Sequence, residues 1–359
     1  MELPEHMDKI LELAIESRTS DIHLKTDNPP IFRIDGTLTR QDFPILDNEA
    51  VEGYLGDIVS TKDMAKFTKL MELDASYTLE GKARFRINAC MDDGDCRVVL
   101  RLIPVTILTL DQLQLPEVLK PLTHNKNGLI LVTGPTGSGK STSLAAMINH
   151  INENRPEHIV TVEDPLEFLH QDKQSIITQR AVGDDTLSFA NALRGALRQD
   201  PDIILIGEMR DAETVGTAIA SSETGHLVFS TLHTVNAVET INRVLDFFEP
   251  HQQEQVRKQF GTVLRGILSQ RILPLSDGEG RCVAMEILLG TRTIRDFIIE
   301  GKPLKQITEV IAEGYEQYGM QTFDQALYDH HEAGRITTEV ALANATSAKD
   351  LKLRMQGMI

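Results

Sequence analysis

The sequence is poor in cysteine and in positive charge, and it lacks any long apolar run. Cys90, Cys96 and Cys282 are its only cysteines in 359 residues. They form no CxxC pair and no metal-ligand spacing, and an odd number makes no disulfide framework, so a reducing compartment is expected. Lysine and arginine total 36 against 53 acids, a formal net charge of −17. A chain that grips nucleic acid needs a basic face, so this balance argues against a nucleic-acid partner. A basic, aromatic platform for single strands is also missing. The longest apolar runs, such as 129–132 and 203–206, fall far short of the roughly eighteen residues of a membrane span. The first ten residues carry Glu2, Glu5 and Asp8 where a secretory signal has a basic start and an apolar stretch. A cytoplasmic protein is expected, with no direct membrane insertion and any membrane association made through a partner.

What remains is ordinary for a globular chain: 41% apolar and 25% charged residues. At roughly 150 residues per domain the length suggests two domains, or three. Residues 1–103 read as a small α+β domain. Met7, Ile10, Leu11, Ala14 and Ile15 recur at helical spacing. Strand-like pieces follow at 31–34 and 37–39 around an Asp35-Gly36 turn, then at 77–79, 83–89 and 97–102. Residues 104–116 show no periodicity and read as a linker. From 117 to 359 apolar strands at 129–133, 158–162, 202–206 and 226–230 alternate with helical segments, the pattern of an α/β domain with a mostly parallel sheet. Its last part, 291–359, is mainly helical, broken at Gly301, Gly314, Gly319 and Gly334.

The sharpest motif is GPTGSGKS at 134–141, a match to GxxxxGK[ST]. Average composition makes a chance match about one in a hundred for a chain of this length. The context fits as well, since an apolar strand enters the loop and a helix leaves it. Glycines let backbone N–H groups curl around a β-phosphate, and the helix start adds positive potential. Gly134, Pro135, Thr136, Gly137, Ser138, Gly139, Lys140, Ser141 and Thr142 are the candidate nucleotide-binding residues. Lys140 would reach the β- and γ-phosphates, and the Ser141 hydroxyl would ligate Mg²⁺, so ATP and Mg²⁺ are the expected ligands. Glu208 follows the apolar strand at 203–206, where a Mg²⁺-facing carboxylate belongs. Glu163 ends the strand at 158–162 and could project toward a γ-phosphate.

Four further segments carry a family resemblance. HIVTVEDPLE at 158–167 resembles the Asp box of secretion and pilus ATPases, and GHLVFSTLHT at 225–234 resembles their His box. LRGALRQDPDIILIGEMRD at 193–211 is similar to their Walker B region, and SDIHL at 20–24 to their N-terminal SDxHL segment. Together these resemble PilT-type ATPases, the motors that retract type IV pili. The resemblance implies a small, PAS-like α+β domain before a RecA-like P-loop ATPase domain, six subunits in a ring, and rotation of an inner-membrane platform protein. A paralogous pilus ATPase would be a further partner, and the location would be cytoplasmic, peripheral to the inner membrane. It makes Glu163 the catalytic glutamate, Glu208 the Walker B glutamate acting on Mg²⁺ through water, and His233 the γ-phosphate sensor. His226 is open between the same box and a structural histidine.

The resemblance also brings Arg86 and Arg101 to ATP across a domain or subunit boundary. Along 83–88 and at Arg97 and Arg101, arginines alternate with apolar residues, so one sheet face collects guanidinium groups. A solvated face with surface ion pairs is the plainer reading, and Arg194 and Arg198, four apart on one helix, are a rival source of charge.

Departures bear on the branch. A PilT-type helix reading close to AIRNLIRE is matched here by TIRDFIIE at 293–300, identical at Ile294, Arg295, Ile298 and Glu300. Its apolar stripe suits a core or a partner surface equally. GMQTFDQALY at 319–328 is shared by PilT and its paralogue PilU, so a PilU-like accessory subunit is the alternative. The four-cysteine zinc motif of PilB-like and secretion ATPases is missing, which disfavours both. A RecA-like DNA motor conflicts with the net charge.

Overall fold

The computed structural model describes residues 3–358 apart from 5, 18, 35, 105 and 304. Glu2, Glu5, Asp35 of the expected turn and Val105 of the expected linker lie outside the described residues. The chain forms two compact units, residues 1–106 with 167–169 and residues 107–166 with 170–359.

The first unit runs α1 (Asp8–Glu16), β1 (Asp21–Lys25), β2 (Ile31–Ile34), β3 (Thr37–Arg40), α2 (Asn48–Ile58), α3 (Thr61–Leu70), β4 (Glu72–Leu79), β5 (Ala83–Asp92) and β6 (Asp95–Pro104). The strands make one antiparallel sheet in the order β3-β2-β1-β6-β5-β4. Alternation sorts its faces. Ile22, Leu24, Phe85, Ile87, Ala89, Val98 and Leu100 are buried in one core with Ile10, Leu11 and Ala14 of α1 and Val51, Leu55 and Ile58 of α2. Arg84, Arg86, Arg97 and Arg101 occupy the alternate positions, on the other face. α2 and α3 have weak sequence signatures for physical reasons. Gly53 and Gly56 interrupt α2, and α3 buries only Phe67. Both starts are nonetheless capped, by Asp47 and Ser60.

The second unit runs α4 (Leu119–Leu122), β7 (Gly128–Thr133), α5 (Lys140–Asn154), β8 (His158–Glu163), β9 (Ile176–Ala181), α6 (Phe189–Ala196), β10 (Ile203–Ile206), α7 (Ala212–Glu223), β11 (Leu227–Leu232), α8 (Ala237–Asp246), α9 (Pro250–Val263), β12 (Leu264–Pro274) and β13 (Arg281–Leu289). Its sheet has the order β13-β12-β7-β11-β10-β8-β9, parallel except for the β12–β13 pair. β7, β10 and β11 are buried along their whole lengths. Helices cover both faces, which is why these strands read as unbroken apolar runs. The β12–β13 hairpin has no turn signal before it: α9 ends at Val263 and β12 starts at Leu264, with no glycine or proline between.

Six helices finish the unit: α10 (Arg292–Glu300), α11 (Lys305–Glu313), α12 (Tyr315–Tyr318), α13 (Phe323–Glu332), α14 (Thr338–Asn344) and α15 (Ala348–Met355). Gly301 and Gly319 close α10 and α12 in the left-handed conformation that favours glycine. Ile294 and Ile298 of α10 are fully buried in the core that holds Phe260 of α9, so this stripe packs inward. In residues 104–116, Leu110 and Leu115 are buried.

Candidate active site

The phosphate loop leaves β7 at Gly134 and enters α5 at Lys140. Gly134 has φ +144, and a Cβ there would lie 2.5 Å from Ser138 Oγ and 2.6 Å from the Gln270 carbonyl. Gly137 and Gly139 are left-handed, with φ +79 and +86. Pro135, Thr136 and Gly137 form the exposed crown, while Ser138 and Lys140 are buried and Ser141 and Thr142 half-buried. Lys140 Nζ donates to the carbonyls of Gly134 at 2.9 Å and Pro135 at 3.0 Å, which holds the ammonium within the curl of its own loop. No side chain caps α5. Its first-turn N–H groups and the positive end of its dipole are therefore available to an anion such as a phosphate.

Parallel pairing brings the other candidates to the same edge of the sheet. Val162 of β8 and Ser230 of β11 are both register partners of Ile206 in β10, and Leu232 of β11 pairs with Thr133 of β7. Glu163, Glu208, His233 and Gly134 thus all leave the carboxyl ends of neighbouring strands, where α/β sheets bind ligands. Thr161 Oγ1 donates to Glu163 Oε1 at 2.8 Å. Gly207 makes room for this arrangement, because a Cβ there would come within 3.2 Å of Glu163 Cα. The Thr231 hydroxyl donates to the Gly207 carbonyl at 2.6 Å, locking β11 to the turn that carries Glu208.

Glu208 has two partners. Arg210 Nη2 donates to Oε2 at 2.8 Å, and His233 Nε2 lies 3.2 Å from Oε1. Burial pushes the Glu208 carboxyl up. Arg210, through its hydrogen bond and charge, and His233 more than offset this, and the net direction is down. Arg210 is held above its ordinary value by the same hydrogen bond. Among the described residues no three His, Cys, Asp or Glu side chains cluster as a metal cage.

Arg86 and Arg101 belong to the sheet of the other unit. They are cross-strand partners in β5 and β6, and Arg101 also pairs with Asp21 of β1, which pairs with Arg33 of β2. Arg101 Nε donates to Asp21 Oδ1 at 2.9 Å, and Arg33 lies 3.8 Å from Oδ2. The face expected to collect guanidinium groups does so, with Asp21 seated between two of them.

Two other candidates read differently in three dimensions. His226 stands at the amino end of β11, the far end of the strand from His233. Its Nδ1 bonds to the Ser221 carbonyl at 2.9 Å, a structural role. Arg198 is not on one helix with Arg194: α6 ends at Ala196, and Asp200 at φ +54 and Pro201 turn the chain away. Arg194 is taken up by Glu213 at 2.8 Å. Arg210 and Asp21 were not singled out by sequence. Each lay inside a motif, Arg210 two residues after Glu208 and Asp21 within SDIHL, but their charge pairing depends on the fold.

Comparison with known proteins follows the same lines. The model of the family described as Type II/IV secretion system protein matches residues 2–322. The chain is 42% identical over 337 residues to the type IV pilus retraction ATPase PilT of Pseudomonas aeruginosa, covering 94% of this chain and 97% of that one. To the type IV pilus ATPase PilU of the same organism it is 40% identical over 350 residues, 97% of this chain and 91% of that one. A crystal structure titled as the pilus retraction motor PilT with bound ADP superposes with a TM-score of 0.89 at 45% identity, covering 96% of this chain and 98% of the other. Matches of this extent, over a phosphate loop and the acids beside it, mean that the chain belongs to the type II/IV secretion system protein family, in its PilT-type branch, and is an ATPase.

Proposed function

We propose that this ATPase is the motor of type IV pilus retraction, working as a six-membered ring in the cytoplasm against an inner-membrane platform protein. The observation that carries the reading is the likeness to PilT over nearly the full length of both chains, with Lys140, Glu163, Glu208 and His233 all present. The identity to PilT is the higher of the two, 42% against 40% for PilU, which favours a retraction motor over a PilU-like accessory subunit, and the complete set of nucleotide residues argues against a dead site. No helix among the described residues is long and apolar enough to cross a membrane, which suits attachment through a partner.

In this reading residues 134–142 bind the phosphates of ATP. Glu163 orients a water for in-line attack on the γ-phosphorus and takes its proton as the bond to the β-phosphate oxygen breaks. Ser141 would hold Mg²⁺ directly, and Glu208, whose two oxygens already have partners, would act through water. Bound there, Mg²⁺ would neutralise charge on the β- and γ-oxygens, needing few protein ligands because it keeps its waters. His233, joined to Glu208, would register the presence of the γ-phosphate. Arg86 and Arg101 would supply positive charge to a neighbouring subunit's ATP.

Phosphate release per subunit, measured over a range of protein concentrations, tests the ring, because a site completed by a neighbour gains specific activity as subunits assemble. Glu163→Gln should bind nucleotide yet lose turnover by about 10²- to 10⁴-fold. A normal rate in that variant would remove Glu163 as the base. For retraction, a piliated bacterium lacking its own retraction motor should regain twitching with this chain and not with Glu163→Gln. Hydrolysis without rescue would leave an ATPase of another task.

A further inference from the structure

α8 begins just behind the loop that carries His233, and that loop is tied down from several sides. Thr234 Oγ1 and Thr240 Oγ1 are hydrogen-bonded at 2.7 Å and buried. Thr240 Oγ1 also donates to the Asn236 carbonyl, and the Asn236 side chain caps α8 by accepting from the Glu239 N–H at 2.8 Å. The remaining tie comes from far along the chain. The N–H of Ala237, the first residue of α8, donates to Glu286 Oε1 at 2.7 Å.

Glu286 lies on β13 and is only 7% exposed. A carboxylate so placed needs compensation. It has the positive end of α8 and that N–H. Arg271, on the paired strand β12, adds its charge, and its guanidinium stacks on the Phe323 ring 3.8 Å from the centroid. Burial pushes the Glu286 carboxyl up against these two, and Asp324 adds to that push. The strand itself is keyed to the phosphate loop. Ser269 of β12 is the register partner of Glu286, and it accepts from Thr133 Oγ1 at 2.9 Å, one residue before Gly134.

We infer that Glu286 is a positioning residue for ATP hydrolysis: by holding the Ala237 N–H it fixes the start of α8, and with it His233 against Glu208. The β12–β13 hairpin then sets the distance between the His233 loop and the phosphate loop, since one strand pair is bonded to both. The inference rests on the reading of His233 and Glu208 as acting at the γ-phosphate. A role confined to folding would change melting temperature and leave turnover per folded subunit alone.

The experiment measures kcat and KM for ATP in phosphate release by the full chain, ADP affinity by a fluorescent ADP analogue, and melting temperature. Glu286→Gln keeps an acceptor for the Ala237 N–H and should hold kcat within about twofold of the parent, whereas Glu286→Met keeps the bulk and loses the acceptor. In Glu286→Met, kcat should fall about tenfold or more with KM and ADP affinity little changed, a loss confined to the transition state. His233→Ala should be slow, and adding Glu286→Met to it should cost little more, because the two act on one step. Should Glu286→Met not fold, Ala237→Pro deletes the same N–H at a helix position that accepts proline, and it should lower kcat alike. A parental kcat in Glu286→Met or Ala237→Pro overturns the inference. So does a loss that multiplies with that of His233→Ala. A His233→Ala variant with parental kcat sinks the reading of His233 itself, and the inference falls with it.

Discussion

Arg210 Nη2 donates to Glu208 Oε2 at 2.8 Å, and this one contact opposes what burial does to the same carboxyl. Burial favours the protonated acid, while the guanidinium, helped by His233, favours the carboxylate and prevails. The folded-state pKa is thus lowered, and the carboxylate survives as pH falls. Removing Arg210 leaves burial opposed only by His233, so the proton binds earlier on the way down. Arg210→Ala should therefore move the acid limb of the kcat–pH profile to higher pH, and Arg210→Lys should move it less. An acid limb unchanged in both variants would mean that Glu208 does not govern it.

Two glycines of the phosphate loop should fail for different reasons. A methyl at Gly134 meets the Gln270 carbonyl at 2.6 Å, a backbone atom that cannot swing aside, as well as Ser138 Oγ at 2.5 Å. A methyl at Gly137 meets nothing within 4 Å, and its strain comes from φ +79 alone. Gly137→Ala should cost about 1–2 kcal/mol and retain nucleotide binding, weakened. Gly134→Ala should cost more than about 2 kcal/mol and abolish it. Calorimetric titration with ADP separates the two, and equal losses would show that the crowding around Gly134 relaxes freely.

His170 supplies a stability test away from the chemistry. Burial, with Lys173 adding to it, lowers its pKa to about 4, and its Nδ1 is buried with no partner among the described residues. The folded protein keeps the ring neutral while the unfolded chain binds a proton near 6.5. The stability contributed is full above that value and is lost as pH falls from it toward 4. By pH 5 the loss should be about 2 kcal/mol. Urea unfolding at pH 7 and pH 5 should show this drop in the parent and a smaller one in His170→Gln. Equal drops would place the proton uptake elsewhere.

The parts of the site that are short and contiguous were legible in sequence. A phosphate loop is local: its glycines, its lysine and its flanking strand and helix lie within about fifteen residues, and backbone sterics demand them there. The strand-end positions of Glu163 and Glu208 were legible because one closes and the other closely follows a buried strand. What was hidden depends on pairing at a distance. Asp21 meets Arg101 only because β1 and β6 are neighbours. Glu286 reaches Ala237 across 49 residues by way of a hairpin that starts with no turn signal. His226 and His233 share one motif, but a six-residue parallel strand separates them, so only His233 leaves the carboxyl edge of the sheet.

The strand register of β5 and β6 makes a sharper claim about Arg86 and Arg101 than their shared face did. Arg101 is held by Asp21, so Arg101→Ala removes an ion pair as well as any catalytic charge. That pair is largely exposed on the arginine side and is worth less than about 1 kcal/mol. Arg86 forms no ion pair among the described residues, so Arg86→Ala should leave the melting temperature unchanged. If its guanidinium serves a neighbour's ATP, turnover should fall on the order of 10²-fold or more while ADP affinity holds. Mixing decides whether it acts across subunits. Arg86→Ala has intact phosphate loops, Lys140→Ala has intact arginines, and each alone should be slow or inactive. In rings formed from equal amounts of both, about a quarter of the interfaces unite a good loop with a good arginine, and activity should return in proportion. An arginine that served its own subunit's ATP could not be restored in this way, because no subunit in the mixture carries both groups.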